Sequence, residues 1–223
     1  MQEIETIFYI IVLLVSVIIH EVSHGYAAKF LGDDTADRAG RLTLNPLKHL
    51  DPIGSVLIPL LLIISKTGFV FGWAKPVPYN EFNLKNKKWG TVIVAAAGAF
   101  SNLTIAVIFG LLIRLSVATG LSSSAFLSIC GLIVLVNIVL GVFNLIPIPP
   151  LDGSHVLYHL LPGALREPYR AFQRFGFLPL LALMLLFPGA IRWLLAPAIA
   201  GMRLFVRWAS PYAVGAQWNI FPS

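Results

Sequence analysis

Long apolar runs decide what this chain can become. Residues 7–30, 91–113, 125–146 and, less cleanly, 175–206 reach or approach the about 20 apolar residues needed to cross a hydrocarbon core. The backbone has no water to bond to at that depth, so such runs are expected as helices that satisfy their own N–H and C=O groups. Composition agrees: 57% of the 223 residues are hydrophobic and 12% are charged, whereas a soluble domain carries roughly a quarter charged residues. The sequence therefore predicts an all-α polytopic membrane protein with a three-helix core, a short re-entrant or interfacial hairpin and C-terminal supporting helices. The core is expected over residues 1–162 and a membrane scaffold of one or two helices over 163–223.

The first run follows an acidic Met-Gln-Glu-Ile-Glu start without a basic flank or a small-residue cleavage site, so it reads as a retained anchor helix and not as a removable leader. The net charge of +6 is spread over loops and forms no single basic face, which argues against nucleic acid as a partner and for membrane topology. The single cysteine, Cys130, lies inside an apolar run, which excludes an intrachain disulfide and a cysteine zinc cluster and points to packing.

Residues 53–65 decide the topology, being about two thirds of a span and broken by Pro59. If they cross, Lys66, Lys75, Lys85, Lys87, Lys88, Arg166, Arg170 and Arg174 share one side, against Lys29, Arg38, Arg41, Lys48 and Arg114 on the other. If they re-enter or lie at the interface, every one of these except Arg114 falls on one side, which the positive-inside rule makes the cytoplasm. The second arrangement is preferred over a short tilted fifth span. Lys85, Lys87 and Lys88, with Trp73 and Trp89, suit a headgroup anchor in the lipid bilayer.

Chemistry concentrates at the end of the first run. His20-Glu21-Val22-Ser23-His24 follows thirteen residues that are apolar apart from Ser16. Residues four apart share a helix face, so both imidazoles can reach one metal ion with Glu21 beside them, a spacing that suits zinc. Ionisable groups at that depth are costly unless they serve a site; hydrogen bonding to neighbouring helices is the plainer alternative. A catalytic zinc normally has three protein ligands and an open position. The candidate third ligand is Asp152, in Asn144-Leu-Ile-Pro147-Ile-Pro-Pro150-Leu-Asp152-Gly153, where clustered prolines end a helix. A helix N-cap is the competing role for this aspartate. His155 is a candidate second partner or substitute ligand, and His49 and His159 are weaker candidates. Asn102, with Ser101, either lines the site or bonds neighbouring helices.

These two motifs together resemble the site-2 protease family of intramembrane metallopeptidases. The intervening Gly40-Arg41-Leu-Thr-Leu-Asn45-Pro46-Leu-Lys-His49-Leu-Asp51-Pro52-Ile-Gly54 and Gly72-Trp73-Ala-Lys75-Pro76-Val77-Pro78 resemble its small prokaryotic branch, without an added PDZ-like or nucleotide-sensing module. The resemblance implies one zinc ion held by His20, His24 and Asp152, Glu21 as general base, and Asn144 assisting substrate or oxyanion binding. It further implies a transmembrane-segment protein as substrate, regulated intramembrane proteolysis as the activity, and a multi-pass cell-membrane location with the active site toward the cytoplasm. Two positions depart from the family: Ala99 stands where a proline usually follows Gly98, and Ser154 where a second glycine follows Gly153. Both replacements are small, so changed packing with retained chemistry is expected. The rival readings are a metal-ion transporter, which would need polar groups along several spans, and a silent scaffold, which would have little use for Glu21.

Overall fold

The computed structural model describes residues 2–65 and 72–187, with isolated positions between 189 and 201. No strand occurs among the described residues; the elements are helices joined by turns and irregular segments. Helix α1 spans Gln2–Phe30, α2 Thr35–Arg38, α3 Ile58–Ile64, α4 Lys87–Ala118, α5 Ser124–Asn144, α6 Asp152–Leu160, α7 Gly163–Gln173 and α8 Leu178–Leu186. Among the described residues, three helices are long and apolar enough to cross a membrane: α1 from Thr6 to Phe30, α4 and α5. These match the first three of the four runs expected from hydropathy. The last expected run is represented by α8, and the greater part of the chain beyond Phe187 lies outside the described residues.

The chain divides into two compact units, residues 13–98 and residues 1–12 with 99–223. In the first, Ala28, Leu84 and Val94 form a buried cluster joined by Ala27, Leu31 and Tyr79. The loop after α1 closes on Asp33, whose buried carboxylate accepts hydrogen bonds from Thr35, from the Asn80 amide at 2.6 Å and from the Asn83 side chain at 2.8 Å. A π-helical turn over Pro52–Leu57 leads into α3. Together these cover thirteen residues, about 20 Å at helical rise, too little for a core of about 30 Å.

The excursion also returns to its start. The Trp73 amide donates to the Gly54 carbonyl at 3.1 Å, Ser55 Oγ donates to the Trp73 carbonyl at 2.8 Å, and the Lys75 amide donates to the His49 carbonyl at 2.8 Å. A Cβ on Gly54 would lie 2.3 Å from the Trp73 indole, so only glycine lets the two ends meet. The two ends of the segment are thus held together, while its residues 66–71 lie outside the described residues. From Gly72 to Asn80 the chain then runs without regular secondary structure, as a strap.

In the second unit the distal half of α4 packs on α5 through Ala106, Ile113, Cys130, Val134 and Leu135. Cys130 is thus a packing residue. Gly141 allows a close approach, because a Cβ there would stand 3.1 Å from the Ala99 carbonyl oxygen. Ile146, Leu151 and Leu180 form a third cluster, which seats α8 against the proline-rich turn. Much apolar surface stays outward: Ile7, Phe8, Ile10, Ile11 and Leu14 on α1, and Phe100, Val107, Ile108, Leu111 and Leu115 on α4, are exposed. Such faces match lipid contact.

Candidate active site

Helical spacing brings His20 and His24 onto one face of α1, where both are buried and their rings meet edge to face with centroids 4.7 Å apart. Ser23 is turned into its own helix, its hydroxyl donating to the Ile19 carbonyl at 2.7 Å. His24 Nδ1 lies 2.7 Å from the Val94 carbonyl oxygen. A carbonyl can only accept, so Nδ1 carries the hydrogen and Nε2 presents its lone pair.

Gly98 shows where those lone pairs converge. A Cβ built on it would lie 2.5 Å from His24 Nε2 and 2.6 Å from His20 Nε2. A methyl group at that point would crowd the two nitrogens that a metal needs, so Gly98 forms part of the cradle. Its place in the motif was visible in the sequence, but its steric role was not.

Glu21 is half-buried, and its Oε2 accepts a hydrogen bond from the Val77 amide of the strap at 2.9 Å. Val77 is itself buried, and Gly25 makes room for it: a Cβ on Gly25 would meet Val77 Cγ1 at 2.9 Å and Leu42 Cδ2 at 2.5 Å. The partner of Glu21 thus comes from a segment whose sequence, Lys-Pro-Val-Pro, carries no obvious catalytic signal.

Asp152 is the first residue of α6. Leu151 occupies the N-cap position, and Asp152 is the acidic residue of the first turn. Gly153 is required behind it, because a Cβ would lie 2.2 Å from the Leu145 carbonyl oxygen. Ser154, the departure from the family pattern, is buried, and Gln173 Nε2 of α7 donates to its carbonyl at 3.1 Å and to its Oγ at 3.5 Å. Tyr169 of the same helix donates its hydroxyl hydrogen to the Pro147 carbonyl at 3.0 Å. Asn144 ends α5 with its amide donating back to the Leu140 carbonyl at 3.0 Å.

His20, His24 and Asp152 are a group whose side chains could hold a metal ion. Two imidazoles and a carboxylate are the donor set of a hydrolytic zinc centre, and the space at Gly98 is of the kind such an ion requires. His49 is buried with Nε2 on the Thr43 carbonyl at 2.8 Å. His159 stacks edge to face with Tyr158, and His155 is exposed. Asn102 donates to Asn137 Oδ1 at 2.7 Å, both side chains fully buried, which is the second of the two roles expected for it. Asn137 was not singled out from the sequence; an asparagine inside an apolar run was the available signal.

Residues 112–187, a stretch that includes Asn144 and Asp152, match the family model described as Peptidase family M50. A Bacillus subtilis protein, YwhC, is 40% identical over 181 residues, covering 79% of this chain and 79% of the relative. Proteins called Rip2 from Mycolicibacterium smegmatis and Mycobacterium tuberculosis are 34% and 31% identical, each over 81% of this chain and over 67% and 70% of their own lengths. All three carry the name "Putative zinc metalloprotease". No solved structure matches the chain. With the His-Glu-His helix and the distal aspartate in place, the chain belongs to peptidase family M50, the site-2 protease family, and is a zinc metalloprotease.

Proposed function

We propose that the protein hydrolyses peptide bonds in or near transmembrane segments of other membrane proteins, using one zinc ion held by His20, His24 and Asp152. The observation that carries this reading is the placement of His20, Glu21 and His24 on a helix apolar enough to span a membrane, near that helix's end. A hydrolytic centre at that position meets its substrate within or beside the bilayer.

Bound zinc supplies a Lewis acid that polarises the scissile carbonyl and lowers the pKa of water from about 15.7 toward about 7. The remaining work falls to side chains. Glu21 takes the proton of the attacking water and returns it to the departing amine, which avoids releasing a strong base in a dry site. The Val77 amide holds the Glu21 carboxylate through one oxygen and leaves the other for this proton. Asn144, released from the Leu140 carbonyl, offers an amide N–H to the developing oxyanion. Arg38, Arg41, Lys48, Lys75, Lys85, Lys87 and Lys88 lie between α1 and α4 or in the first turn of α4. Placing them in the cytoplasm of a cell-membrane protein puts the His24 end of α1 on that side.

Reconstitution in liposomes with a reporter carrying one transmembrane segment tests the assignment. The expected product is cut within or next to the apolar segment, zinc-dependent and located by mass spectrometry. A protein that carries zinc across the vesicle wall and leaves the reporter intact would return the site to the transporter reading.

A further inference from the structure

We infer that Arg41 is a positioning residue for Glu21, acting through the single peptide unit that joins Pro76 to Val77. The inference rests on the reading of Glu21 as the general base.

Arg41 is buried although it is an arginine, and its Nη2 donates to two main-chain carbonyls of the strap: Lys75 at 2.7 Å and Pro76 at 3.3 Å. The Pro76 carbonyl belongs to the same planar peptide as the Val77 amide, which donates to Glu21 Oε2 at 2.9 Å. One face of this peptide is therefore gripped by a guanidinium and the other holds the catalytic carboxylate.

Few dihedrals remain free between the two gripped carbonyls. The peptide bond from Lys75 to Pro76 is planar, and the proline ring locks φ near about −65°. Only ψ of Pro76 is soft, and anchoring the Lys75 and Pro76 carbonyls to one nitrogen fixes it. The direction of the Val77 N–H is thereby set. Proline on both sides of Val77 also means that no neighbouring amide can replace it: between Lys75 and Tyr79, Val77 alone has an N–H.

The rest of the strap is anchored independently. The Lys75 amide bonds the His49 carbonyl at 2.8 Å, the Trp73 amide bonds the Gly54 carbonyl at 3.1 Å, and the Asn80 amide bonds Asp33 at 2.6 Å. Loss of Arg41 therefore leaves the strap attached at both ends while freeing the one peptide that faces Glu21. Arg41 stands apart from the ligand trio of two histidines and an aspartate, so zinc content should not follow it.

The test compares Arg41→Met, Arg41→Lys, Val77→Pro and Glu21→Gln in the zinc-loaded protein, with a transmembrane-segment reporter in vesicles of phosphatidylcholine and phosphatidylglycerol. Arg41→Met is expected to keep zinc and KM and to lose about 100-fold in kcat, the scale of a base misplaced by about 1 Å. Because a single nitrogen makes both bonds, Arg41→Lys should recover most of kcat. Val77→Pro deletes the N–H while leaving the rest of the strap anchored, so it should lose kcat similarly even where Arg41→Met fails to fold. Combining Arg41→Met with Val77→Pro should cost little more than either alone. Hydrogen exchange across 75–79 supplies a readout apart from activity: the Val77 amide should be protected in wild type and exchange faster in Arg41→Met. Full kcat in Arg41→Met or in Val77→Pro, or additive losses in the pair, overturns the inference. If Glu21→Gln itself cleaves normally, the general-base reading falls first, a result distinct from failure of the Arg41 link.

Discussion

The Nδ1 atom of His24 lies 2.7 Å from the main-chain carbonyl of Val94, four residues before Gly98 on α4. One short bond thus fixes the tautomer of a candidate ligand and turns its Nε2 toward the place where a Gly98 Cβ would stand. Isotope-edited NMR of histidine-labelled protein should find His24 protonated at Nδ1 before and after zinc is added. An Nε2-protonated ring in the zinc-loaded protein would contradict this geometry.

Gly98→Ala places a methyl group 2.5–2.6 Å from both histidine Nε2 atoms. Real Cβ contacts are not that short, so the rings must turn away. Zinc affinity should fall by at least about 10-fold, the range seen when the supports of metal ligands are disturbed. Gly163→Ala meets nothing within 4 Å and serves as the control that keeps its zinc.

Asp33 makes stability depend on acid. Burial pushes its carboxyl up, but the hydrogen bonds from Thr35, Asn80 and Asn83 outweigh this and hold it below the ordinary value of 3.8. A depressed folded-state value means that the stabilisation is fully present above the unfolded value and is lost as pH falls through the folded one. Thermal midpoints in detergent should therefore drop below about pH 4 in wild type, with a smaller drop in Asp33→Asn. That variant should also be less stable at neutral pH, since its amide cannot accept all of these bonds.

The buried pair of Asn102 and Asn137 predicts coupling between α4 and α5. Asn137→Ala removes the acceptor 2.7 Å from the Asn102 amide and should cost about 0.6–2 kcal/mol of stability in a membrane-like medium. The double substitution to alanine should cost less than the sum of the singles. Strict additivity of unfolding midpoints would show that the bond contributes nothing.

What the sequence revealed tracks the physical range of each signal. Hydropathy located the three long apolar helices found among the described residues, because burying a run of apolar side chains needs no partner identity. It missed their ends: α4 begins at Lys87, before the apolar run, because the helix propagates through Lys87, Lys88 and Trp89 irrespective of hydropathy. The short α7 escaped because its sequence is polar and contains Pro168. At the site, the His-Glu-His spacing was legible from helix geometry alone, since both imidazoles lie on one turn. The partners of that turn were not. Val94, Val77 and Pro76 act through main-chain atoms, which every residue possesses and no motif records. Gly98 and Gly54 act by having no side chain, and only a fold shows what a Cβ would strike.

Zinc content and reporter cleavage measured together on wild type, Glu21→Gln and Asp152→Ala test the central claim most directly. The account predicts that Glu21→Gln keeps its zinc and loses cleavage by at least about 100-fold, the scale of general-base catalysis, while Asp152→Ala loses both. Cleavage undiminished in Glu21→Gln, with zinc bound, would contradict it.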